Sequence, residues 1–411
     1  NDTGWNVTID GGADNDSISN NGKNVTIDGG AGNDSITNTA ASVKVDAGAG
    51  NDYISNSFSN VTIAGGTGND SISIGSYMRH FYAQNNVIQY SAGDGNDLIS
   101  GFRADSTLLI SGSGFSTSKS GNNVYVRVGD STITLQGAAT LPTLNIVETP
   151  VNVHNSDSRQ RISGTNVNDT IINSGAKVTV EARGGKDSIS NSGFNSDING
   201  GAGNDNISNN GKYVEIFGGK DNDTIYNNAA QCRIDGGWGN DYIFNHGEGA
   251  YIEGGNHYNY GGKDTIENYT NSDRASILSQ FGNDSIKNRS SMVRIDGGDN
   301  NDSILSSGTA NRIYGGKGKD LIILEGAYKN TIWGGAGDDT IKLDSSSNNA
   351  IIQYNSGDGN DLIEGFNTTS TLRLLDRGNE LTYSRTDNGD DVIIQVEKGG
   401  NITLKGAAQL A

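Results

Sequence analysis

A six-residue loop recurs every 18 residues near the start of this 411-residue chain. Its first four copies end in Asp16, Asp34, Asp52 and Asp70. After each loop, aliphatic residues alternate with polar ones, which is the pattern of a short β-strand with one buried face. Similar units at a fixed spacing are typical of a solenoid, in which each unit forms one turn and stacks on its neighbours. The sequence therefore predicts a thin core that is built one turn at a time.

The same loop returns in a second series. Its first aspartates are again 18 residues apart, and the spacing of the later ones is less regular. The irregular spacings indicate insertions, of which the largest lies around Gly255 to Gly261. The aspartates of this series are Asp169, Asp187, Asp205, Asp223, Asp241, Asp264, Asp284, Asp302, Asp320 and Asp339.

Residues 29–37 match the pattern G-G-x-G-x-D-x-U-x, with Ile36 as the apolar U. Near-identical tandem copies cover about residues 6–75 and 164–342. On this motif the chain resembles the RTX, or hemolysin-type, calcium-binding nonapeptide repeats of secreted and cell-surface bacterial proteins. The resemblance implies an all-β parallel β-roll (β-solenoid) of 18 residues per turn, with calcium bound between adjacent loops. A nucleotide-binding G-x-G-x-x-G is excluded, because no helical pattern follows the glycines.

Calcium takes about six to eight oxygen ligands, and such a loop offers one carboxylate together with main-chain carbonyl oxygens that glycine brings close. The resemblance implies that both kinds of ligand come from these loops. The expected carboxylate ligands are Asp16, Asp34, Asp52, Asp70, Asp97, Asp169, Asp187, Asp205, Asp223, Asp241, Asp264, Asp284, Asp302, Asp320, Asp339 and Asp361. The expected carbonyl ligands lie near Gly11, Gly29, Gly32, Gly48, Gly50, Gly65, Gly68, Gly200, Gly203, Gly218, Gly236, Gly239, Gly297, Gly315, Gly318, Gly334 and Gly337.

After each loop the period of two directs one aliphatic residue and one asparagine towards the core, as with Ile18 and Asn20. We expect the asparagines to form a buried ladder whose amides satisfy the backbone of the next bend. The other expected members are Asn38, Asn56, Asn191, Asn209, Asn227, Asn245, Asn268 and Asn288.

The second half of each turn lacks the metal ligand. Aliphatic side chains or cysteine occupy the place of the loop aspartate, as at Val25, Val43, Val61, Val214 and Cys232. Because these side chains offer no oxygen to a hard cation, we expect multiple calcium ions along one edge of each roll only.

The row of ions is expected to vary along the chain. It should be most regular between Asp16 and Asp70 and between Asp187 and Asp241. It should weaken or vanish near Asp264 and Asp284, because the large insertion and the pair Ser279-Gln280 disturb those loops.

Composition favours a cation as the partner. The chain has 33% hydrophobic residues and a formal net charge of -19, which disfavours nucleic acid. The single cysteine excludes an internal disulfide framework, and no run of about 18 or more apolar residues predicts a transmembrane segment. Because the sequence begins without Met or a signal segment, we expect a fragment of a longer protein.

Both series end in the same block, so the chain is an internal duplication. Residues 89–102 and 353–366 share Gln-Tyr, Gly-Asp-Gly-Asn-Asp-Leu-Ile and Gly-Phe. The strand patterns that follow resemble capping regions, which a solenoid needs because its end exposes apolar core and unpaired strand edge. The expected domains are a first array at 1–76, a first cap at 77–143, a linker at 144–160, a second array at 161–345 and a second cap at 346–411.

These features predict a calcium-binding structural module that folds outside the cell and serves as a rigid scaffold or an adhesin segment. Its four histidines lack zinc-ligand spacing, and neither H-E-x-x-H nor G-x-S-x-G occurs, so we expect no enzymatic activity. Two weaker alternatives are an ice-binding solenoid, whose file of outward threonines is interrupted at Lys44, and a sugar-acting β-solenoid enzyme.

An aromatic cluster between residues 226 and 269 suggests a further alternative. Exposed aromatic residues at this density mark a glycan or protein site, here a cell-surface glycan or a host protein. The competing interpretation is that the insertion at 255–261 folds over these rings and uses them as a local core. The residues of the possible ligand patch are Tyr226, Trp238, Tyr242, Phe244, Tyr258 and Tyr260.

Overall fold

Parallel β-strands stacked into a solenoid make up most of the molecule. The computed structural model describes residues 7–78, 81–112, 114–255, 262–376, 379–397 and 399–410. Within these residues there is no α-helix, and one 3-10 helix, Ala138–Thr140, lies in the region predicted as the first cap. The predicted fold class, an all-β parallel roll, is confirmed.

The chain divides into two compact units, Asn1–Asn152 with Ser163–Asp169 and Val153–Ile162 with Thr170–Ala411. This division into two units does not separate the predicted arrays, caps and linker from one another, so their boundaries stay predictions. The first strands are β1 (Thr8–Asp10), β2 (Ser17–Asn20), β3 (Thr26–Asp28), β4 (Ser35–Asn38), β5 (Lys44–Asp46), β6 (Tyr53–Asn56), β7 (Thr62–Ala64), β8 (Ser71–Ile74), β9 (Ser76–Met78), β10 (Phe81–Tyr82), β11 (Val87–Ser91), β12 (Leu98–Ser100), β13 (Thr107–Ser111), β14 (Phe115–Ser120), β15 (Asn123–Val128), β16 (Ser131–Gln136) and β17 (Asn145–Glu148). The later strands are β18 (Asn152–Asn155), β19 (Arg161–Ser163), β20 (Thr170–Asn173), β21 (Thr179–Glu181), β22 (Ser188–Asn191), β23 (Asp197–Ala202), β24 (Asn206–Asn209), β25 (Glu215–Lys220), β26 (Thr224–Asn227), β27 (Arg233–Trp238), β28 (Tyr242–Asn245), β29 (Tyr251–Gly255), β30 (Thr265–Asn268), β31 (Ser276–Gln280), β32 (Ser285–Asn288), β33 (Arg294–Asp299), β34 (Ser303–Ser306), β35 (Arg312–Lys317), β36 (Leu321–Leu324), β37 (Thr331–Ala336), β38 (Thr340–Leu343), β39 (Ile351–Asn355), β40 (Asp361–Glu364), β41 (Thr371–Asp376), β42 (Asn379–Glu380), β43 (Tyr383–Asn388), β44 (Asp391–Val396) and β45 (Asn401–Lys405).

Each turn of the first unit gives one strand to each of two sheets. One sheet has the strand order β1-β3-β5-β7-β11-β13-β17, and the other has the order β14-β15-β16-β12-β8-β6-β4-β2. Neighbouring array strands are parallel, and Ile18 lies beside Ile36 just as Ile9 lies beside Ile27. The 18-residue repeat therefore places equivalent residues side by side.

The second unit repeats this plan in sheets of 15 and 13 strands. Its register survives the irregular spacings, because Ile243 still lies beside Ile266 and Asn245 beside Asn268, a pair that is 23 residues apart in the chain. The extra residues are therefore accommodated outside these strands. Most of the predicted insertion, residues 256–261, lies outside the described residues.

The core consists of one file of aliphatic side chains from each sheet and a further file just before the strands of one sheet, which includes Val25, Val43 and Val61. Ile36 and Ile54 come from strands that follow the aspartate loops, Ile27 and Ile63 come from the other sheet, and all four are fully buried. Cys232 takes an aliphatic place in the same core, and burial raises the pKa of its thiol. It is therefore a packing residue.

The predicted asparagine ladder is present. Asn20 Nδ2 donates to Asn38 Oδ1 at 2.8 Å, and Asn38 Nδ2 donates to Asn56 Oδ1 at 2.8 Å. Asn20 also holds the bend that follows it, because its amide donates to the carbonyl oxygen of Gly22 and accepts from the N–H of that residue, both at 3.0 Å. In the second unit the ladder consists of Asn155, Asn173, Asn191, Asn209, Asn227, Asn245, Asn268 and Asn288.

Both arrays end in antiparallel hairpins that continue one of the sheets. β14, β15 and β16 pair in sequence, and β16 adds in parallel to array strand β12. β43, β44 and β45 repeat this arrangement, with β45 beside β40. Each cap is also tied to the last aspartate loop by a tyrosine, since Tyr90 Oη donates to Gly95 O and Tyr354 Oη to Gly359 O, both at 2.6 Å. Among the described residues no helix is long and apolar enough to cross a membrane.

Candidate metal centre

The loop aspartates form a second ladder along one edge of each unit. Asp34 Oδ1 accepts the backbone N–H of Asp16 at 2.7 Å, and Asp52 Oδ1 accepts that of Asp34 at 2.7 Å. Stacking at the β-strand spacing of about 4.8 Å brings each carboxylate under the preceding loop. The other predicted ligands that accept such a bond are Asp70, Asp97, Asp169, Asp205, Asp223, Asp241, Asp264, Asp284, Asp302, Asp320, Asp339 and Asp361.

The second carboxylate oxygen of most loop aspartates has no partner. In the part of the chain that the structure describes, these Oδ2 atoms are buried and make no hydrogen bond. A buried, unpaired carboxylate oxygen is unfavourable unless a proton or a cation compensates it. The aspartates concerned are Asp16, Asp34, Asp52, Asp70, Asp205, Asp223, Asp241, Asp264, Asp302, Asp320 and Asp339.

The electrostatics of the ladder oppose ionisation. Burial raises the pKa of Asp223 to about 8; the hydrogen bond from the Asp205 backbone lowers this pKa, and the carboxylate of Asp241 raises it. Burial also raises the pKa of Asp302 to about 9, and neighbouring aspartates add to this increase. A cation placed in the row would reverse this penalty, because it favours the charged form of every carboxylate near it.

The first glycine of the loop leaves a small space that faces this free oxygen. A methyl group on Gly218 would lie 2.6 Å from Asp223 Oδ2 and closer still to the carbonyl oxygen of Gly236 in the next turn. A methyl group on Gly297 would meet Asp302 Oδ2 at 2.6 Å in the same way. An anionic oxygen and a carbonyl oxygen therefore converge on one atom-sized space at each of these loops.

This donor set fits calcium. Calcium is a hard cation that binds carboxylate and carbonyl oxygens with flexible geometry. The described residues contain no group of three or more His, Cys, Asp or Glu side chains that could hold a metal ion. A calcium ion bound at these loops would have single aspartate carboxylates and main-chain carbonyl oxygens as its ligands, and this ligand set stays a prediction.

The loops adopt the backbone geometry that their residues predict. The fourth loop position has positive φ both as Gly32, at 134°, and where glycine is replaced by Asp14, Asp221 or Asn300, at 92°, 73° and 85°. Glycine, asparagine and aspartate tolerate this region best. These residues therefore let successive loops close tightly enough to stack.

In several loops another residue takes the place of the first glycine beside the aspartate. Ala47 and Ala182 take the place of the first glycine in the loops of Asp52 and Asp187, and both are fully buried. In the Asp284 loop this place is held by Ser279, whose hydroxyl donates to Gly297 O at 2.6 Å. The aspartate ladder is nevertheless continuous through Asp284. The expected weakening near Asp264 and Asp284 thus stays a prediction.

Two further acidic residues near the loops were not predicted. Burial is the largest cause of the raised pKa at Asp241, Asp264 and Asp302. The carboxylate of Asp235 makes a smaller contribution to the increase at Asp241 and Asp264, and that of Asp296 makes one at Asp302. The signal was present in the sequence, because Arg-Ile-Asp-Gly-Gly occurs at both 233–237 and 294–298. These carboxylates add negative charge where a cation would bind.

Comparison with known proteins agrees with this geometry. Residues 10–40, 214–229, 233–247, 294–325 and 326–348 match the family model of the RTX calcium-binding nonapeptide repeat. These segments of the chain match RTX repeats. The matched residues include loops of both units, so the RTX motif and the unpaired carboxylate oxygens coincide in the structure.

Solved structures that match the chain include a hyperactive, Ca2+-dependent, β-helical antifreeze protein from an Antarctic bacterium. That likeness has a TM-score of 0.34 and 14% identity, and it covers 91% of this chain and 95% of the other. Extracellular lipase LipA from Serratia marcescens matches with a TM-score of 0.19 and 10% identity, over 92% of this chain and 43% of the lipase. No curated protein sequence matches the chain.

The predicted aromatic patch is partly assembled on the outer face of the second unit. The rings of Tyr226 and Phe244 stack at 4.7 Å, and Tyr242 lies 4.2 Å from Phe244. Tyr269 lies between Phe244 at 6.2 Å and His246 at 4.3 Å, and we call these five residues the aromatic stack. Tyr226 is 39% exposed.

Trp238 is not one of the residues of the aromatic stack. It is 53% exposed, and Lys220 Nζ lies 5.4 Å from the centre of its ring. Tyr258 and Tyr260 lie outside the described residues, so the competing interpretation of a local core under the insertion stays a hypothesis.

Replacing Gly218 with alanine tests the space beside Asp223. The added methyl group would occupy the position between Asp223 Oδ2 and Gly236 O, while Ala47 and Ala182 indicate that the fold accepts alanine there. We expect Gly218→Ala to bind at least one calcium ion fewer per chain by isothermal titration calorimetry and to keep its β-sheet circular dichroism. Gly75→Ala is the control, because its nearest neighbour would be 3.9 Å away. An unchanged number of ions in Gly218→Ala would show that calcium lies elsewhere.

Proposed function

We propose that this chain is a non-catalytic module that folds on binding calcium outside the cell and then serves as a rigid scaffold. The observation that supports it is the row of buried carboxylate oxygens without partners. Such a row is unfavourable in the absence of a cation and becomes a continuous binding site in its presence.

The two carboxylate oxygens of each loop aspartate have different roles in this proposal. Oδ1 accepts the N–H of the preceding loop and fixes the side chain, as between Asp205 and Asp223 at 2.8 Å. Oδ2 stays directed at the space beside the first glycine and would bind the ion together with a carbonyl oxygen of an adjacent turn. Calcium supplies positive charge that offsets the repulsion along the row.

We further propose that the ions lie along the aspartate edge only. On the opposite edge, Val25, Val43 and Val61 are buried at the equivalent place and offer no oxygen. The asparagine ladder satisfies the backbone there through Asn20 and its successors. Anomalous scattering from crystals grown with calcium would test this, and ions on both edges would contradict it.

An extracellular location follows from the calcium requirement. Extracellular calcium modules bind with dissociation constants on the order of 10⁻⁴–10⁻³ M, far above the calcium level inside a cell. A chain that needs such concentrations would stay unfolded until export. The net charge of -19 would also help the unfolded chain to remain soluble.

Limited proteolysis at two calcium concentrations tests the scaffold proposal. The chain has 29 Lys and Arg and 48 Asp and Glu residues, so cleavage sites occur throughout it. With a protease that does not itself need calcium, we expect resistance in millimolar calcium and complete digestion at submicromolar calcium. A folded protein without metal sites, added to the same tube, controls for protease activity. Equal resistance at both concentrations would contradict folding on calcium binding.

A second candidate function is attachment to a glycan or a host protein through the aromatic stack. Adjacent turns hold Ser208, Tyr226 and Phe244 at equivalent places, so aromatic rings replace serine on an outer face. Rings that lie side by side on a surface can pack against the apolar face of a sugar or against a partner's side chains.

Serine substitutions in the aromatic stack test this function. Because Ser208 occupies the same place, Tyr226→Ser with Phe244→Ser should keep the fold. We expect the double variant to bind about tenfold more weakly or worse to any glycan that a calcium-containing array identifies. Phe217→Ser is the control, since Phe217 is also 39% exposed but lies on the other sheet. Equal binding by the double variant would mark the stack as structural.

A further inference from the structure

The outer face of the 13-stranded sheet changes its charge along the solenoid. Its array strands are parallel and in register, so each gives one outward residue at the same place, just ahead of a buried isoleucine or valine. Two acidic residues, Asp197 and Glu215, are neighbours in this row, and two basic residues, Arg294 and Arg312, are neighbours further along it. We call the row from β21 to β37 the charged file. In strand order its members are Thr179, Asp197, Glu215, Arg233, Tyr251, Ser276, Arg294, Arg312 and Thr331.

The neighbouring like charges of the charged file lack compensation within the chain. All four side chains are exposed. Among the described residues Asp197, Glu215 and Arg312 have no ion pair, and Arg294 pairs with Asp296 at 2.8 Å. Like charges side by side on a sheet are destabilising. A partner that carries the opposite order of charges would offset this repulsion at both places.

The charged file is complementary to its own reversed copy. β29 lies in its middle, and β25 and β33 are each two strands away, or about 10 Å at the β-strand spacing. β23 and β35 are each three strands away, or about 14 Å. A two-fold rotation about an axis that runs along β29 would therefore bring Glu215 of one copy opposite Arg294 of the other, and Asp197 opposite Arg312. Each ion pair would occur twice, because a two-fold contact uses the same surface on both copies.

The shape of this face fits the same rotation. β21 to β27 carry a groove of about 420 Å³, whose lining includes Glu181 and Asn199. On β35 and β37 the rings of Tyr314 and Trp333 stack at 4.2 Å and form a ridge. The rotation places this ridge opposite Asn199 and Glu181, so that the ridge of one copy meets the groove of the other. At the axis Tyr251, which is 37% exposed, would meet Tyr251 of the other copy.

Three further carboxylates of this face are already compensated within the chain. Each has an arginine partner, so their contact with a second copy would not bring an unpaired charge into the interface. The pairs are Arg161 with Glu181 at 2.6 Å, Arg233 with Glu253 at 2.7 Å and Arg294 with Asp296 at 2.8 Å.

We propose that two copies of the chain associate through the charged file, with their solenoid axes antiparallel and a two-fold axis along β29. The partner is thus a second copy of this chain, and complementary charge determines the register of the contact. The aromatic stack lies on the other sheet and stays uncovered. Association of this kind goes beyond a scaffold of single chains, because it joins two solenoids side by side.

Sedimentation velocity of the full chain in millimolar calcium tests the association. We expect a concentration-dependent dimer in about 0.05 M sodium chloride and dimerisation at least about tenfold weaker in about 0.5 M, because salt screens exposed ion pairs. A monomer at every concentration in low salt would overturn the proposal, as would a dimer that salt does not weaken. A monomer that binds heparin, and whose Arg312→Asp variant does not, would replace it with an acidic glycan as the partner.

Charge reversal locates the contact. We expect Asp197→Arg and Arg312→Asp each to weaken dimerisation at least about tenfold, because each variant brings like charges together twice. Mixed in equal amounts, the two variants should form a dimer as tightly as the unchanged chain, because every ion pair is then restored. Ser190→Arg, an exposed position on the other sheet, is the control and should dimerise normally. Normal dimerisation of either single variant, once circular dichroism shows that it is folded, would contradict this interface, and so would a mixture that stays monomeric.

Cross-linking tests the two-fold axis. Only at the axis does a residue meet its own copy, so we expect Tyr251→Cys to give a covalent dimer with a short bismaleimide reagent. Ser190→Cys on the other sheet should not, and Cys232 is buried in both variants. A dimer in sedimentation that the reagent does not link through Tyr251→Cys would refute the antiparallel arrangement.

Discussion

In calcium-free buffer at pH 8 the chain is expected to lose most of its β-sheet circular dichroism and its cooperative thermal transition. At a free concentration 100 times the dissociation constant, each bound ion stabilises a fold by about 2.7 kcal/mol. Several ions in one row would together approach the whole stability of a typical domain, about 5–15 kcal/mol. Since each turn contributes only a few aliphatic side chains to the core, little else can replace this contribution.

The measurement is circular dichroism and calorimetry during calcium addition. Magnesium is the control ion, because it prefers a rigid octahedral site and keeps its waters, so it should not restore the fold. Asp223→Asn should raise the calcium concentration needed for folding, whereas exposed Asp338→Asn should not. A β-rich spectrum and an unchanged melting temperature without calcium would refute the idea that the ion organises the fold.

Acidification is expected to stabilise the calcium-free chain. The pKa of several loop aspartates is raised, mainly by burial, to about 6 for Asp70, about 7 for Asp241 and about 8 for Asp223. An unfolded aspartate has a pKa of about 3.9, so the folded chain binds more protons between these values. The stability of the calcium-free fold is therefore greatest near pH 4 and is lost as the pH rises through about 6 to 8.

Calcium should have the opposite dependence, because it binds ionised carboxylates and competes with protons. The difference in melting temperature between calcium-containing and calcium-free samples is thus expected to be large at pH 8 and small at pH 5. Calorimetry at pH 5, 6.5 and 8 measures it, with calcium removed by chelating resin because soluble chelators weaken in acid. A calcium-free melting temperature that rises from pH 5 to pH 8 would show that the buried carboxylates are compensated in another way.

The sequence was sufficient to predict the turn, its strands and the asparagine ladder. Each of these depends on residues that recur at one spacing, so the neighbours of Asn38 are known once the spacing is known. The loop aspartates were predictable for the same reason. Their placement along one edge of each unit follows from parallel strands in register.

Features that occur once could not be predicted in this way. The pairing of β17 with β13 depends on how residues 144–148 return to the sheet, and the interval 144–160, expected as a linker, contains all of β17 and β18. The different roles of Oδ1 and Oδ2 depend on side-chain torsions that no sequence pattern specifies. Ala47 and Ala182 can be read from the sequence. That their position faces the carboxylate of the loop aspartate is known only from the structure.

Both ladders join each turn to the next through residues of the same type at the same place. Where the spacing grows to 23 residues, it grows for both ladders together, from Asp241 to Asp264 and from Asn245 to Asn268. Residues inserted between the ladder positions therefore leave both ladders intact, whereas loss of one ladder residue alone would leave buried amides or carboxylates without partners. The two ladders can gain or lose members only together, one turn at a time. The length of such a module therefore changes by one turn at a time, and each turn adds about 4.8 Å along the solenoid axis.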